Sequence, residues 1–451
     1  MLDPGRVKEI AESLESAAPV DTGSFLEKYH PAEIAAAIDQ IHDDDKILKA
    51  FHKLGVDIGS EVLAHLDDHA RTLILEKLPT EKLGDMIEEM DSDDAADVLT
   101  DVSEERAEDI LHEVSDEVEQ EVSRLMEFEE DTAGHLMQTE LVSVPEDYTV
   151  AETIDKIRVM SEEVGDLHNI FVVDERNRLR GTLSLRKLII SQPSARMKDL
   201  MDDQPLMYVT ADADQEHVAA LFKKYDLVSL PVVDKDMTLL GRIVVDDIVD
   251  VLEEEADEDL MMMVGAHDEA LVQTHSAVAM ARYRLPWLGS SLLGGFITGA
   301  LIWQFKMTIS EALALTAFIP VVMGISGNVG AQSSALVVRG VATGRIGRGA
   351  LRRYFIKELK VGLFLGVTCG IVAGIAAYLW QGAPVYGLVV GLSIFFSIEL
   401  AALMGSAIPL FFKWANIDPA IAGGPIVLAL NDISGLFIFF AIATLLITYL
   451  R

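Results

Sequence analysis

Two patterns of apolar residues divide this chain of 451 residues at about residue 285. Beyond that point the apolar stretches are long, and a helix needs about 20 mostly apolar residues to cross a bilayer. Five stretches reach this length, at 286–305, 312–338, 361–380, 385–412 and 420–450. The pattern therefore predicts an all-α membrane domain of five transmembrane helices over residues 285–451.

The residues before this point have the shorter periods of soluble secondary structure. Segments such as HPAEIAAAIDQI and LPTEKLGDMIEEM place apolar residues three and four apart, as amphipathic helices do. Such segments recur every ten to eighteen residues between about 21 and 127. They predict an all-α, superhelical N-terminal domain over residues 1–130, and nothing in it has the pattern of an enzyme site.

Residues 134–255 repeat with a period of 60. The letters FVVD at 171–174 correspond to PVVD at 231–234, Gly181 to Gly241, and Leu188 to Ile248. Each half reads strand, turn, strand, helix, which predicts an α/β duplication with halves at about 134–199 and 200–255. The duplication resembles a tandem pair of CBS domains; an unrelated α/β duplication is the alternative.

Resemblance to CBS pairs implies a site for an adenosine nucleotide such as ATP. The family pattern there is a Ser or Thr three residues before an Asp. The first half keeps Ser184 but has Lys187 at the Asp position, and the second keeps Asp247 but has Val244 at the hydroxyl position. Each half lacks one partner, so the resemblance implies at most an eroded nucleotide site at Ser184 and Asp247.

Charge separates the two parts as sharply as hydropathy does. Residues 1–284 contain 26 Lys and Arg against 68 Asp and Glu, whereas residues 285–451 contain 10 against 5. Positions 246–259 hold nine carboxylates and no base, and like charges four residues apart each destabilise a helix by roughly 0.2–0.5 kcal/mol. A solvated acidic face is one interpretation of this segment. Further acidic patches around residues 91–97 and 212–226 favour the other, which is oxygen ligands shared between domains for a hard cation such as Mg²⁺.

Basic residues predict the orientation in the membrane. Seven Lys and Arg lie between the second and third apolar stretches, at 339–360, and no signal-like segment precedes the first stretch. Positive residues favour the cytoplasmic side, so we expect a multi-pass protein of the cell (inner or plasma) membrane, with a cytoplasmic N-terminus and an external C-terminus. The single cysteine, Cys369, excludes an intrachain disulfide.

Polar residues within the apolar stretches are candidates for an ion path. Asp432, with Asn431 beside it, lies in the last stretch, where a carboxylate costs at least ~2.5 kcal/mol to insert. The second stretch contains Pro320 and several glycines, which we expect to break the helix and expose backbone groups to a polar path. The alternatives are a neutral carboxyl group buried in a helix bundle and small residues that serve helix packing. Glu399 is a further intramembrane acid of undefined role.

Two motifs and the domain order give a specific resemblance. The sequences PVVMGISGNVGAQS at 320–333 and NIDPAIAGGPIVLALNDISG at 416–435 resemble the MgtE-type magnesium channels. So does the order of helical domain, CBS pair, acidic connecting (plug) helix at 256–284 and five spans. The resemblance implies a homodimer whose pore lies on its two-fold axis, with Asp432 facing the hydrated ion. The other candidate residues of the pore are Asn431, Asn328, Gly327 and Gln332.

The same resemblance implies that cytosolic Mg²⁺ bridges the acidic domains and closes the pore through the connecting helix. The positions that match the sensor carboxylates are Glu61, Asp93, Asp97, Asp214, Glu216, Asp226, Asp247, Asp250, Glu255, Glu258, Asp259 and Asp418.

Three function classes follow. The first is an Mg²⁺-selective channel for uptake that cytosolic Mg²⁺ shuts. The second is a transporter of divalent cations coupled to protons or Na⁺ through Asp432 or Glu399, and the third is a membrane-anchored sensor that transports nothing. No nucleophile, paired base or phosphate-binding loop is evident, so we expect no enzyme activity and no nucleic-acid partner. The expected partners are a second copy, the lipid bilayer and divalent ions.

Overall fold

The structure is a computed structural model, and it describes residues 4–15, 28–160, 167–201, 205–264, 277–343, 346, 351–415, 417–422 and 424–446. The chain forms two compact units, Met1–Glu253 and Glu254–Arg451.

Short helices make up the beginning of the first unit, as the apolar period predicts. Their bounds are α1 Pro4–Glu15, α2 Pro31–Asp39, α3 Asp44–Phe51, α4 Val56–Ala64, α5 Asp68–Lys77, α6 Thr80–Glu88, α7 Ser92–Thr100, α8 Glu104–Leu111 and α9 Asp116–Leu125. Several begin at a capping side chain: Ser103 accepts from the Arg106 N–H, and Ser115 from the Val118 N–H. Their apolar faces form one core with the second CBS repeat, which includes Phe51, Ile87 and Ile243.

The two α/β repeats have the same topology. The first contains β1 Ser143–Pro145, α10 Val150–Val159, β2 Asn169–Val173, β3 Leu179–Ser184, α11 Leu185–Ile190 and α12 Met197–Leu200; the second contains β4 Val209–Thr210, α13 Gln215–Tyr225, β5 Ser229–Val233 and β6 Leu239–Val244. Each sheet has three strands, with a parallel pair followed by an antiparallel pair. Val172 pairs with Gly181 and Val232 with Gly241, so the 60-residue period in sequence is also a period in register.

The acidic helix is longer at its start than the sequence predicts. Helix α14 runs from Val245 to Val264, so it begins directly after β6, inside the segment assigned to the CBS pair. The predicted connecting helix extended to residue 284, but its positions 265–276 lie outside the described residues. Helix α15 begins at Ala277, ahead of the predicted first span.

Among the described residues of the second unit, five helices are long and apolar enough to cross a membrane. The elements are α15 Ala277–Gln304, α16 Lys306–Glu311, a 3₁₀ turn Leu313–Phe318, α17 Ile319–Ala342, α18 Leu351–Gln381, α19 Pro384–Trp414, a 3₁₀ turn Ala420–Ala422 and α20 Pro425–Leu445. The predicted break of the second span is wrong, because α17 is continuous over its 24 residues. Pro320 lies in the first turn of α17, where a missing N–H costs no helical hydrogen bond.

The glycines of α17 allow close helix packing instead. A Cβ at Gly330 would collide with the Asn431 amide of α20, and a Cβ at Gly405 of α19 would collide with the Gly330 carbonyl. Gly327 faces Leu428 and Asp432 of α20. Small residues therefore bring α17, α19 and α20 together, which is the packing alternative for this motif.

Candidate ion path and acidic sites

Polar residues form an exposed stripe on α17. Gly324, Asn328 and Gln332 are spaced four apart and are all exposed on the single chain, whereas Gly327 and Gly330 on the other side of the helix are buried. Polar side chains that face lipid would leave their hydrogen bonds unmade, so such a stripe fits only a water-filled path or a partner. The structure thus puts Asn328 and Gln332 on one surface.

Asp432 lies beside this helix. Its Oδ1 is 3.5 Å from the position that a Cβ would occupy at Gly327, and the side chain is only partly buried. No ion pair between two residues that the structure describes involves Asp432. An intramembrane carboxylate with no basic partner in the described residues has the character of an ion-binding group.

Asn431 occupies a different environment from its neighbour. It is fully buried against Gly330, and neither its Oδ1 nor its Nδ2 has a hydrogen-bond partner among the described residues. On the single chain it therefore lies behind the polar stripe and not on it.

Five aspartates meet where α7 faces the start of α14. Asp93 is buried, and its Oδ1 has no hydrogen-bond partner among the described residues. Burial, together with the charges of Asp247, Asp94 and Asp91, raises the Asp93 pKa well above its usual range. Burial and the neighbouring charges of Asp246 and Asp94 raise the pKa of Asp247 to about 8. Because these carboxylates are costly to ionise side by side, this junction favours a bound cation or protons.

Other residues of the junction connect the N-terminal helices to the CBS pair. The Ser92 hydroxyl donates to Glu140 Oε2 at 2.9 Å and accepts from the Thr139 N–H at 2.9 Å. Burial raises the pKa of the Glu140 carboxyl. Asp91 and Asp93 flank Ser92, so these bonds hold α7 and its carboxylates against the CBS pair.

Asp97, also on α7, has a basic partner. Arg71 Nη1 lies 2.8 Å from Asp97 Oδ2 and 3.2 Å from Asp101 Oδ2. This ion pair could not be predicted from the sequence pattern, because Arg71 and Asp97 are 26 residues apart. A cation at Asp97 would have to share this carboxylate with a guanidinium group.

Asp250 of α14 faces the N-terminal helices. Burial raises its pKa, and the charge of His65 at the end of α4 acts in the opposite direction. Glu61 is exposed one helical turn before His65, and residues four apart on a helix are neighbours. Glu61 and Asp250 therefore approach the same boundary between the helical domain and α14.

The predicted ligands of the second CBS repeat lie at opposite ends of α13. Asp214 caps its start and accepts from the Glu216 N–H at 3.0 Å. Asp226 ends it in the left-handed conformation, with φ of 51°. Eleven residues of helix separate them by roughly 16 Å at 1.5 Å per residue, so Asp214 and Glu216 do not form one site with Asp226 in a single chain.

The second unit contains the last four predicted sensor residues. Glu255, Glu258 and Asp259 lie on α14, and Asp259 precedes Met263 by one turn. Met262 and Met263 pack against Val338 of α17 and Ala420. Asp418 Oδ1 accepts from the Ala420 N–H at 2.8 Å. The end of α14 and the Asp418 loop therefore meet at the same apolar contact.

Within the described ranges, no three His, Cys, Asp or Glu side chains are arranged so that they could hold a metal ion without other ligands. Each acidic pair would therefore need water or a second copy to complete the coordination of Mg²⁺, which keeps several waters in most protein sites.

The two residues of the eroded nucleotide pattern have other bonds. Ser184 Oγ caps α11 and accepts from the Lys187 N–H at 3.3 Å. Asp247 Oδ2 accepts from the Val244 N–H at 3.4 Å and belongs to the acidic junction. Each of the two side chains is thus bonded to a backbone N–H of its own repeat.

Sequence reasoning missed two charged groups. Arg242, buried in β6, donates to Gln138 Oε1 at 3.3 Å, and its charge opposes the rise of the Asp91 pKa that burial causes. Glu358 lies before the predicted third stretch at 361–380, but α18 begins at Leu351 and so includes it. The seven basic residues around it concealed the helical period.

Family profiles match in the same order along the chain. The MgtE intracellular N domain matches residues 29–131, CBS domains match 133–192 and 197–254, and the divalent cation transporter profile of MgtE matches 319–442. The magnesium transporter MgtE of Bacillus subtilis is 33% identical over 98% of this chain and 95% of its own length. This chain belongs to the MgtE family.

Other similar proteins are also named as magnesium transporters or channels. The magnesium transporter MgtE of Thermus thermophilus is 38% identical over 72% of each chain. The cytosolic domain of the Mg²⁺ channel MgtE in complex with ATP has a TM-score of 0.51 and 34% identity, covering 54% of this chain and 99% of that one. The soluble part of a magnesium transporter has a TM-score of 0.50 and 26% identity, covering 56% and 98%. The helical domain, the CBS pair and the five apolar helices of a membrane protein are thus family features, and the relatives are named transporters.

Proposed function

We propose that this protein is an Mg²⁺ channel for uptake, with its pore on the two-fold axis of a homodimer. The observation that carries the proposal is the polar stripe of Asn328 and Gln332, exposed on a membrane helix beside Asp432. In a dimer, two such stripes and two Asp432 carboxylates would enclose a path for a hydrated cation. The names of the relatives support Mg²⁺ as that cation.

A second copy would also cover apolar residues of the soluble unit. Ile189 and Ile190 on α11 are exposed, as is Val249 on α14. The 60-residue period relates Ile189 to Val249, so both repeats present an apolar side chain at the same place. These surfaces support a homodimer of the soluble unit. The basic residues separately support a cytoplasmic N-terminus and an external C-terminus.

Cytosolic Mg²⁺ closes this channel by binding between the acidic elements. Asp93 with Asp247, and Glu61 with Asp250, would hold ions between the N-terminal helices and α14; Asp259 and Asp418 would do so at the membrane unit. The pKa values of Asp93 and Asp247 support the first of these pairs, because they reflect an uncompensated negative charge. ATP at Ser184 and Asp247 has weaker support, since the only argument for it is the ATP complex of a relative.

The free energy of several weak sites is sufficient for such a gate. A shift from 1:99 to 99:1 requires about 5.5 kcal/mol of differential binding. A site that binds only in the closed state contributes about 1.4 kcal/mol at ten times its Kd. Four sites of this kind would therefore close the channel.

Mg²⁺ uptake into proteoliposomes tests the pore residue. Asp432→Ala should abolish uptake because the path loses its charge, while the protein still assembles as a dimer. Wild-type uptake by this variant would refute the assignment.

A proton- or Na⁺-coupled transporter remains the second candidate, favoured by Glu399, whose buried Oε2 has no hydrogen-bond partner among the described residues. Unitary currents in patch recordings would exclude it.

A further inference from the structure

Helix α18 buries one face and exposes the other. Its buried residues Glu358, Gly362 and Gly366 are spaced four apart. Glu358 accepts a hydrogen bond from Ser333 of α17 at 3.1 Å, and a Cβ at Gly362 or Gly366 would come within about 3 Å of α19. Successive residues of an α-helix are about 100° apart around its axis, so the residues on the far side of α18 point away from both neighbouring helices.

Basic residues and then apolar residues follow one line along this outer face. Arg353, Lys357 and Lys360 are exposed and lie four and three residues apart, which puts them on one side of the helix. Phe364 and Ile371 continue the line four and seven residues further, and they are 72% and 57% exposed. We name these five residues the α18 strip. It is cationic over its first two turns and apolar beyond them.

The change along the α18 strip coincides with the expected edge of the bilayer. Helix α18 has 31 residues and is roughly 46 Å long at 1.5 Å per residue. The hydrocarbon core is only about 30 Å thick, so α18 must extend into the headgroup layer. The apolar stretch of this helix begins at residue 361. The three cations precede it and therefore lie at the level of the headgroups.

The end of α19 supports this level. Helix α19 returns antiparallel to α18, with Gly391 packed against Gly370. Its last residue, Trp414, therefore lies near the start of α18, and it is 79% exposed beside Lys413, which is also exposed. Tryptophan is enriched where a membrane protein crosses from hydrocarbon to headgroups. The basic part of the α18 strip and Trp414 thus indicate the same interface.

No acidic side chain pairs with the cations of the α18 strip within the described ranges. None of the ion pairs between described residues involves Arg353, Lys357 or Lys360. The acid nearest to them in sequence, Glu358, is buried on the other side of the helix and bonded to Ser333. Like charges three and four residues apart destabilise a helix. An anion from outside the chain would therefore stabilise the beginning of α18.

The apolar half of the α18 strip identifies this anion. The same strip of a second copy would oppose three cations to three cations. An acidic protein surface would match the cations but not Phe364 and Ile371. A phospholipid with an anionic headgroup has a phosphate followed by acyl chains, in the order of the strip, and basic groups at the cytoplasmic face of membrane helices bind such headgroups. We propose that the α18 strip is a binding site for an anionic phospholipid, with its phosphate at the three cations and an acyl chain along Phe364 and Ile371.

Native mass spectrometry of the full chain in detergent tests the site without any measurement of transport. Phosphatidylglycerol should bind at least tenfold more tightly than phosphatidylcholine with the same acyl chains, since each basic residue near an anionic lipid contributes about fivefold. Replacing Arg353, Lys357 and Lys360 together by Gln should remove this preference. The matched control replaces Arg282, Arg284 and Lys306 by Gln. It removes the same charge from exposed positions on α15 and α16 and should keep the preference.

Photo-crosslinking locates the lipid on the wild-type chain, so this part of the test does not depend on whether a variant folds. Phosphatidylglycerol with a diazirine in its acyl chain should label the α18 peptide that contains Phe364 and Ile371, and inorganic phosphate at the same concentration should not reduce the labelling.

Four results would overturn the proposal: equal binding of the two lipids, equal loss of preference in both triple variants, displacement of the lipid by inorganic phosphate, or labelling that misses α18. The last result is expected if a second copy or an acidic protein surface covers the strip. The outcome is independent of the proposed channel function, because no step of the test measures Mg²⁺ flux.

Discussion

Asp247→Asn should stabilise the metal-free soluble unit at alkaline pH. The Asp247 pKa is raised to about 8, by burial first and then by Asp246 and Asp94, so its charged form opposes folding. An unfolded Asp has a pKa of about 3.9. The folded state therefore holds a proton that the unfolded state has lost, and stability should fall as the pH rises from about 4 to about 8. Asparagine is neutral throughout and its amide oxygen can still accept from the Val244 N–H.

The magnitude follows from the difference in proton affinity between the two states. Each tenfold difference corresponds to ~1.4 kcal/mol, so the cost of ionising Asp247 at pH 8 reaches at most about 5 kcal/mol. Part of this cost is repulsion that neighbouring aspartates relieve by taking up protons themselves. We therefore expect Asp247→Asn to gain between about 2 and 5 kcal/mol at pH 8, and almost nothing at pH 4.

Urea unfolding of residues 1–264 with a chelator, at several pH values, measures this gain. Mg²⁺ replaces the proton as counter-charge, so it should stabilise the wild type at pH 8 far more than Asp247→Asn. Asp147→Asn is the matched control, because hydrogen bonding to Lys198 lowers the Asp147 pKa. Asp147→Asn should therefore lower the free energy of unfolding at pH 8 and leave it unchanged at low pH. This effect at pH 8 is opposite in sign to that of Asp247→Asn. Equal stability of wild type and Asp247→Asn at pH 8 without metal would refute the reasoning.

Two further predictions concern the connecting helix and the packing of the membrane unit. Millimolar Mg²⁺ should slow limited proteolysis around 253–263 more than KCl of equal ionic strength does, and equal protection by both salts would indicate screening alone. Gly330→Ala should lower the thermal stability of the purified protein, because its Cβ collides with Asn431; Gly324→Ala on the same helix meets nothing within 4 Å and should not. Equal melting temperatures of the two variants would contradict the packing.

The repeat and the spans could be predicted from sequence because each depends on a regular period. A 60-residue repeat places Gly181 and Gly241 at the same register, and five apolar stretches become five long helices. Both are determined by hydrophobic burial, which a single sequence displays.

Contacts between distant segments could not be predicted in the same way. Arg71 pairs with Asp97, and Ser333 donates to Glu358, across separations of 26 and 25 residues. The break expected in α17 was wrong because the glycines of α17 fit against residues of α19 and α20, and their partners are invisible in α17 itself. Asn431 and Asp432 are adjacent in sequence, yet one is buried behind the stripe and the other lies beside it.

Recording currents from excised patches at controlled cytosolic Mg²⁺ is the most direct test of a channel that its soluble unit closes. The full chain should conduct at low cytosolic Mg²⁺ and fall silent at millimolar concentrations. A chain that begins at His267 lacks every proposed sensor carboxylate except Asp418, and it should keep the same unitary conductance while it no longer closes. Full-length currents that ignore cytosolic Mg²⁺, or a folded, dimeric short chain that does not conduct, would contradict this gating.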